Sequence, residues 1–256
     1  MNESPLKALV ERDGVLLRLR LARPKANIVD AEMISALDEC FSKYRNNNGL
    51  LAALLDHEGP HFSFGASIEE HLPERCAEML AGLHALLCAM VAWPKPILVA
   101  ARGQCLGGGL EVALAANLLF VAPDAKLGQP EIKLGVFAPA ASVFLPLRIG
   151  QGRAEDLLLS GRSIDAPAAL AWGLAAEIAD DPAAAALAWF DKHLADKSAA
   201  SLAYAVRAAR EPFSDLARLR LADVEELYLQ ELMATRDAKE GLSAFMEKRR
   251  PKWEHR

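Results

Sequence analysis

Several classes of protein are excluded by what this 256-residue chain lacks. The four cysteines, Cys40, Cys76, Cys88 and Cys105, form no CxxC pair and no Cys/His ligand spacing, so neither a disulfide framework nor a zinc site is expected. Reduced thiols in a cytoplasm follow, and the opening MNESPLKALVERDG has no apolar core of a secretory leader. Basic residues are not in excess: the net charge is −5 and the pI near 5.7, which disfavours nucleic acid as a partner. No apolar run approaches the roughly 20 residues that cross a bilayer, so no membrane role is expected. A GxSxG elbow, a GK[ST] phosphate loop and a GxGxxG fingerprint are all missing. His57, His61 and His71 lie close in sequence but lack the i, i+4 spacing of a helical metal site, and no metal is expected.

What is present is apolar bulk, 52% of residues, with 25% charged, enough for a large core without staples. The run from Gly14 to Leu21 alternates apolar and basic residues as a half-buried strand does, and on this reading it opens the fold. Asp30 to Tyr44 carries apolar residues at helical spacing, Leu50 to Asp56 reads as a buried strand, and Pro73 to Val91 as a helix closed by WPKP. Ile97 to Ala101 (strand), Arg102 to Gly109 (Gly-rich turn), Leu110 to Ala116 (helix) and Leu118 to Ala122 (strand) give an α/β rhythm. After Ala154 the pattern turns helical, with one strand near Ala175 to Ile178 and a long amphipathic stretch from Asp215 through Lys248. Residues 1–200 are expected to form the core and 201–256 a helical C-terminal part. Trp93, Trp172, Trp189 and Trp253 read as core or interface anchors.

Three segments could carry chemistry. CLGGGLE, Cys105 to Glu111, follows a buried strand, and a helix starting there would aim unpaired N–H groups at an anion or a developing oxyanion. Taken alone it is more simply read as a turn for close strand–helix packing, with Glu111 complementing a helix dipole. GQPEIKLG, Gly128 to Gly135, puts Glu131 after Pro130, as a general acid or base or simply as the first turn of a helix. FSFGASIEEH, Phe62 to His71, reads locally as a connection in which Ser67 caps a helix and Glu70 completes a capping box.

In this order and spacing the three segments, with LARPKANIVD near the start, LLLSGRSIDAPAALAWGLAAEI, and RDAKEGLSAFMEKRRPKW at the end, resemble the enoyl-CoA hydratase/isomerase (crotonase) superfamily. The resemblance implies an α/β fold, a crotonase-like spiral of ββα units, with a helical C-terminal trimerisation region and commonly a dimer of trimers. It implies an acyl-CoA thioester as substrate and no cofactor beyond the coenzyme A carried by it. By motif, the N–H groups of Ala66 and Gly108 would form the oxyanion hole, and Glu111 and Glu131 would match the two carboxylates of water-adding members. Arg23, Ala26 and Asn27 sit where the family holds coenzyme A; Ser67, Ile68 and Glu69 continue the substrate-binding loop. Phe245 and Lys248, beside the basic cluster Arg249, Arg250 and Lys252, sit where a neighbouring subunit closes over the CoA phosphates.

Two departures bear on the substrate. VFAPAASVFLPLRIG, Val136 to Gly150, replaces a Gly-rich turn of the common hydratases, and Ser67 stands for their usual aspartate. GPHFSFGASIEEHLPE and GVFAPAAS are similar to the hydratases that add water to cyclohexa-1,5-diene-1-carbonyl-CoA in anaerobic benzoyl-CoA degradation. The alternatives are a short-chain enoyl-CoA hydratase or an enoyl-CoA isomerase, and more remotely a non-enzymatic RNA-binding homologue.

Overall fold

Strands whose residues alternate between two apolar layers build the centre of the molecule. The computed structural model describes residues 4–256. Its strands are, in chain order, β1 (Leu6–Glu11), β2 (Leu16–Leu21), β3 (Ala52–His57), β4 (Ile97–Ala101), β5 (Gln104–Leu106), β6 (Leu118–Val121), β7 (Lys126–Gly128), β8 (Ser163–Asp165) and β9 (Glu177–Ile178). The helices are α1 (Ala31–Tyr44), α2 (Cys76–Val91), α3 (Gly108–Ala115), α4 (Pro139–Ile149), α5 (Gln151–Ser160), α6 (Ala166–Ala171), α7 (Pro182–His193), α8 (Ala199–Glu226) and α9 (Arg236–Met246).

One sheet has the order β1-β2-β3-β4-β6-β9, antiparallel at β1 and parallel from β2 onward. Leu17, Leu19, Leu55, Val99 and Val121 point into the larger core with α1, α2, α3 and α4. Leu16, Leu54, Leu98, Ala100 and Phe120 point the other way onto Ala186, Phe190 and Leu194 in and just after α7. The period of two thus explains why both faces of this sheet are covered. On the α7 face the buried Asp56 accepts hydrogen bonds from Arg18 and Arg20, at 2.6 to 3.0 Å, so its charge is matched. A second sheet, β5-β7-β8, stands beside the first.

Several expectations need correction. The fold opens on β1, not on the run from Gly14; β1 is an edge strand with mostly exposed residues, so it lacks the apolar alternation that marks β2. Arg102 to Gly109 is not all turn, because three of its residues form β5, too short to show a period. The C-terminal pattern is not one stretch from Asp215. Helix α8 starts at Ala199 behind the Ser198 cap and tolerates Pro212, then gives way to a π-helical turn (Leu227–Glu231) and a 3₁₀ turn (Leu232–Ala234). Thr235 restarts the helix as α9 by accepting from Ala238 N at 3.2 Å, a local cap that apolar periodicity does not register.

Helix α3 is the element on which the site depends, and its carbonyl end is held by two arginines, Arg210 buried and Arg148 half-buried. Arg210 on α8 donates to Ala115 O at 2.8 Å and to the side-chain oxygen of Asn117 at 3.1 Å. Arg148 on α4 donates to Leu114 O at 2.7 Å and to Ala116 O. Both guanidinium groups also lie 5.3 Å from the ring centroid of Phe213. Burial, then the charge of Arg148, lowers Arg210 to about 10, still far above neutrality, so both arginines are charged where α3 presents its negative end. Replacing Arg210 by Met strands buried carbonyls and is expected to cost ~2 kcal/mol, read as a lower urea midpoint. An unchanged midpoint would show that the clamp contributes nothing.

Candidate active site

Three chain segments converge at the N-terminus of α3. The segment before Ala66 runs alongside β5: Ser63 N donates to Gln104 O at 3.0 Å and Leu106 N to Ser63 O at 3.1 Å. The Ser63 hydroxyl then accepts from Gly65 N at 3.0 Å, and Val29 N donates to Gly65 O at 2.9 Å. These bonds hold Ala66 against Gly108. A Cβ on Gly108 would stand 3.1 Å from Ala66 N, and neither Ala66 N nor Gly108 N donates to any acceptor among the described residues. Two amide donors therefore lie side by side, one of them at the positive end of α3.

The flanking glycines have separate reasons. Gly107 has φ +49°, and a Cβ there would lie 2.4 Å from a Glu131 carboxylate oxygen. A Cβ on Gly109 would lie 2.4 Å from that of Ser63. Close packing and an open anion site are both true of this motif, and they are properties of different glycines.

Glu111 lies in the first turn of α3, 4% exposed. Its carboxylate accepts from Ala141 N at 2.8 Å, and Ala140 N also favours its charged form. These are free N–H groups of the first turn of α4, which Pro139 opens at a position that needs no donor. Burial nonetheless pushes Glu111 up to about 7. Glu131 begins a single 3₁₀ turn (Glu131–Leu134), not an α-helix, ended by Gly135 at φ +74°. With its amide nitrogen facing the carboxylate, the buried Gln129 donates to both Glu131 oxygens at 3.2 and 3.1 Å. Burial, and then the charge of Glu111, pushes Glu131 up to about 8. Among the described residues no cation offsets the two carboxyl groups, so near neutrality the pair holds about one proton. The N–H donors on Glu111 favour its ionised form and thereby bias that proton toward Glu131. Among the described residues no three His, Cys, Asp or Glu side chains gather as a metal site.

Beyond Ala66 the wall is apolar: Ile68, Leu72, Met79, Val136, Phe137 and Tyr228 belong to one cluster. Ser67 caps no helix; the residues after it form a 3₁₀ turn (Glu69–His71) without a side-chain cap. The Glu70 carboxylate accepts instead from Ala31 N, at 3.2 Å, so it supports α1 rather than a capping box. Glu69 is exposed.

The turn at Arg23 to Asn27 is tied to the loop leading to Ala66. The fully buried Asn27 donates to Glu58 O at 3.0 Å and His61 O at 2.9 Å, and accepts from Arg23 N at 2.9 Å. Ala26 O accepts from Phe64 N at 2.9 Å, and the Arg23 guanidinium is paired with Asp30 and Glu32. The side chain of Asn27 is thus spent within the fold. Phe245, 51% exposed, and Lys248 lie at the outer end of α9. In the neighbouring basic cluster Arg249 is paired with Glu240 at 2.5 Å and Glu247 at 2.6 Å, so that part of the cluster is already neutralised. Sequence reasoning missed Gln129, Tyr228 and the Ala141 amide. Gln129 is two residues from Glu131 in the motif, whereas the other two become visible only when distant segments meet.

The family model for enoyl-CoA hydratase/isomerase matches residues 11–256. The chain is 62% identical to a cyclohexa-1,5-dienecarbonyl-CoA hydratase of Thauera aromatica, over 99% of this chain and 98% of the relative. It is 32% identical to a carnitinyl-CoA dehydratase of Proteus mirabilis, over 95% and 96% of the two chains. The crystal structure of an enoyl-CoA hydratase/isomerase from Pseudoalteromonas atlantica superposes with a TM-score of 0.86 at 26% identity, covering 97% of this chain and 99% of that one. The chain therefore belongs to the enoyl-CoA hydratase/isomerase family and has its crotonase fold.

Proposed function

We propose that this protein is a hydratase that converts cyclohexa-1,5-diene-1-carbonyl-CoA to 6-hydroxycyclohex-1-ene-1-carbonyl-CoA, a step of anaerobic aromatic degradation in a cytoplasm. The observation that carries the chemistry is a pair of carboxyl groups, both raised by burial, beside two amide donors that have no acceptor among the described residues. The full-length likeness to the Thauera enzyme supports the ring substrate.

Glu111, held ionised by the α4 amides, takes a proton from water as its oxygen bonds to the ring carbon β to the thioester. The displaced π pair moves onto the thioester oxygen, giving a dienolate gripped by Ala66 N–H and Gly108 N–H. Glu131 delivers its proton to the far end of the former diene, and the remaining double bond moves into conjugation with the thioester. One water is added and Glu111 ends protonated, so a proton passed from Glu111 to Glu131 resets the pair. Coenzyme A would lie along Arg23 to Asn27 and on to Ser67, Ile68 and Glu69, with Phe245 and Lys248 contributed across a subunit contact. The helical segment 201–256 would assemble a trimer or a dimer of trimers; Tyr204 at 72% and Leu219 at 64% exposure supply apolar area for it.

Glu111→Gln and Glu131→Gln are each expected to lower kcat on the cyclic dienoyl thioester by roughly 10²-fold or more. Near wild-type rates in both, with intact folding, would contradict this acid–base pairing. In Gly108→Ala the added Cβ stands 3.1 Å from Ala66 N and spreads the two donors apart; kcat should fall about 10²-fold or more. Activity should be bell-shaped in pH, highest where the pair holds one proton, between about 7 and 8. Both carboxyl groups have folded values above the unfolded one, so the folded protein binds more protons and stability falls as pH rises from about 4.5 to about 8. The two Gln variants lack part of that slope. Their Tm should exceed the wild-type value at pH 8.5 and converge with it toward pH 5; parallel curves would refute the perturbed titration.

A further inference from the structure

One polar atom in the apolar cluster beyond Ala66 has nothing to bond among the described residues. Tyr228 is fully buried, at 0% exposure, and its hydroxyl has no partner among the described residues. Buried phenols nearly always have one. The ring is fixed edge-on against Phe137, with centroids 5.3 Å apart, and packs with Val136 in the apolar cluster. Its backbone lies in the π-helical turn Leu227–Glu231, a helix irregularity common at functional sites. Cys76, Glu131 and Glu111 all act electrostatically on the phenol, which burial and these groups keep neutral. It is therefore a hydrogen-bond donor within reach of the field of the carboxyl pair. The other buried side-chain polar atom without a partner among the described residues, His84 Nε2, belongs to a ring whose Nδ1 lies 2.6 Å from Glu225, between α2 and α8.

An acyl group bound past the oxyanion donors brings only one further oxygen into this pocket, the one that water supplies. We propose that Tyr228 is a specificity-determining residue whose hydroxyl hydrogen-bonds that oxygen, in the incoming water and in the hydroxyl of the hydroxyacyl thioester. This rests on the hydratase reading. The surrounding Ile68, Leu72, Met79 and Phe137 accept the carbon skeleton of substrate and product alike, so the phenol is the group in this wall that tells a hydroxylated ring from a bare one. A site built around one hydroxyl discriminates strongly against an analogue lacking it.

Tyr228→Phe removes the one atom and keeps the ring. The test follows dehydration of 6-hydroxycyclohex-1-ene-1-carbonyl-CoA in the reverse direction, with cyclohex-1-ene-1-carbonyl-CoA as a competitive inhibitor that lacks the hydroxyl. The variant should raise KM for the hydroxyacyl thioester about tenfold while the inhibition constant of the bare ring stays within about twofold. Its Tm without ligand should equal or exceed that of the wild type, because no bond within the fold is lost. Equal changes in both constants, or none in either, would overturn the proposal, as would a lowered Tm that points to a structural hydroxyl. Failure of the hydratase reading shows separately: the wild type itself would then not dehydrate the hydroxyacyl thioester, and the role of Tyr228 would fall with it.

Discussion

The position of one short helix governs this structure. Helix α3 has eight residues, Gly108–Ala115, too few to be stable alone, and both of its ends are held by other segments of the chain. Its carbonyl end is neutralised by Arg148 and Arg210 from two other helices. Its amide end meets the loop that carries Ala66 and the turn that carries Glu131, at separations only glycine permits. The arginines at one end thus fix the geometry at the other. The C-terminal tail supports the same place from behind, because the Trp253 ring packs against Gly135 and Gly241 next to the Glu131 turn.

The second constraint is electrostatic. Two carboxyl groups without a counter-ion oppose folding at neutral pH, and the fold reduces that opposition unequally. Glu111 receives amides from the start of α4, whereas Glu131 receives the weaker side-chain amide of Gln129 and feels the charge of Glu111. On the proposed mechanism the inequality gives one group the character of a base and the other that of an acid, which a symmetrical pair would not have. The segment Ala138 to Ser142, which departs from the Gly-rich turn of common hydratases, is the N-terminus of α4. It supplies the backbone amides that support Glu111.

Much of the architecture was legible in the sequence because it rests on short-range pattern. β2, β3, β4 and β6 show apolar runs or alternation, and α1 has both the period and the Asp30 cap, which accepts from Met33 N at 2.9 Å. The elements that escaped are those without a period, β1 at an exposed edge and the three-residue β5, β7 and β8, then α4, which carries prolines at its start and inside, and the α8–α9 junction, where a local cap interrupts a continuous apolar stripe. The candidate residues were found as motifs, but their physical state was not. Nothing local to Glu111 announces an amide from Ala141, thirty residues away, and nothing near Tyr228 announces a place beside the carboxyl pair. Asn27 shows the converse: a residue picked out by motif proves to spend its side chain joining two loops.

The state of the carboxyl pair is open to direct observation. Carbon-13 NMR of protein labelled at the glutamate side-chain carboxyl carbons, titrated from pH 5 to 9, should show two buried carboxyls titrating near 7 and 8, with the upper one absent in Glu131→Gln. Between those values one carboxyl should be protonated and the other ionised. Two carboxyls fully ionised by pH 6 would contradict the division of labour between Glu111 and Glu131.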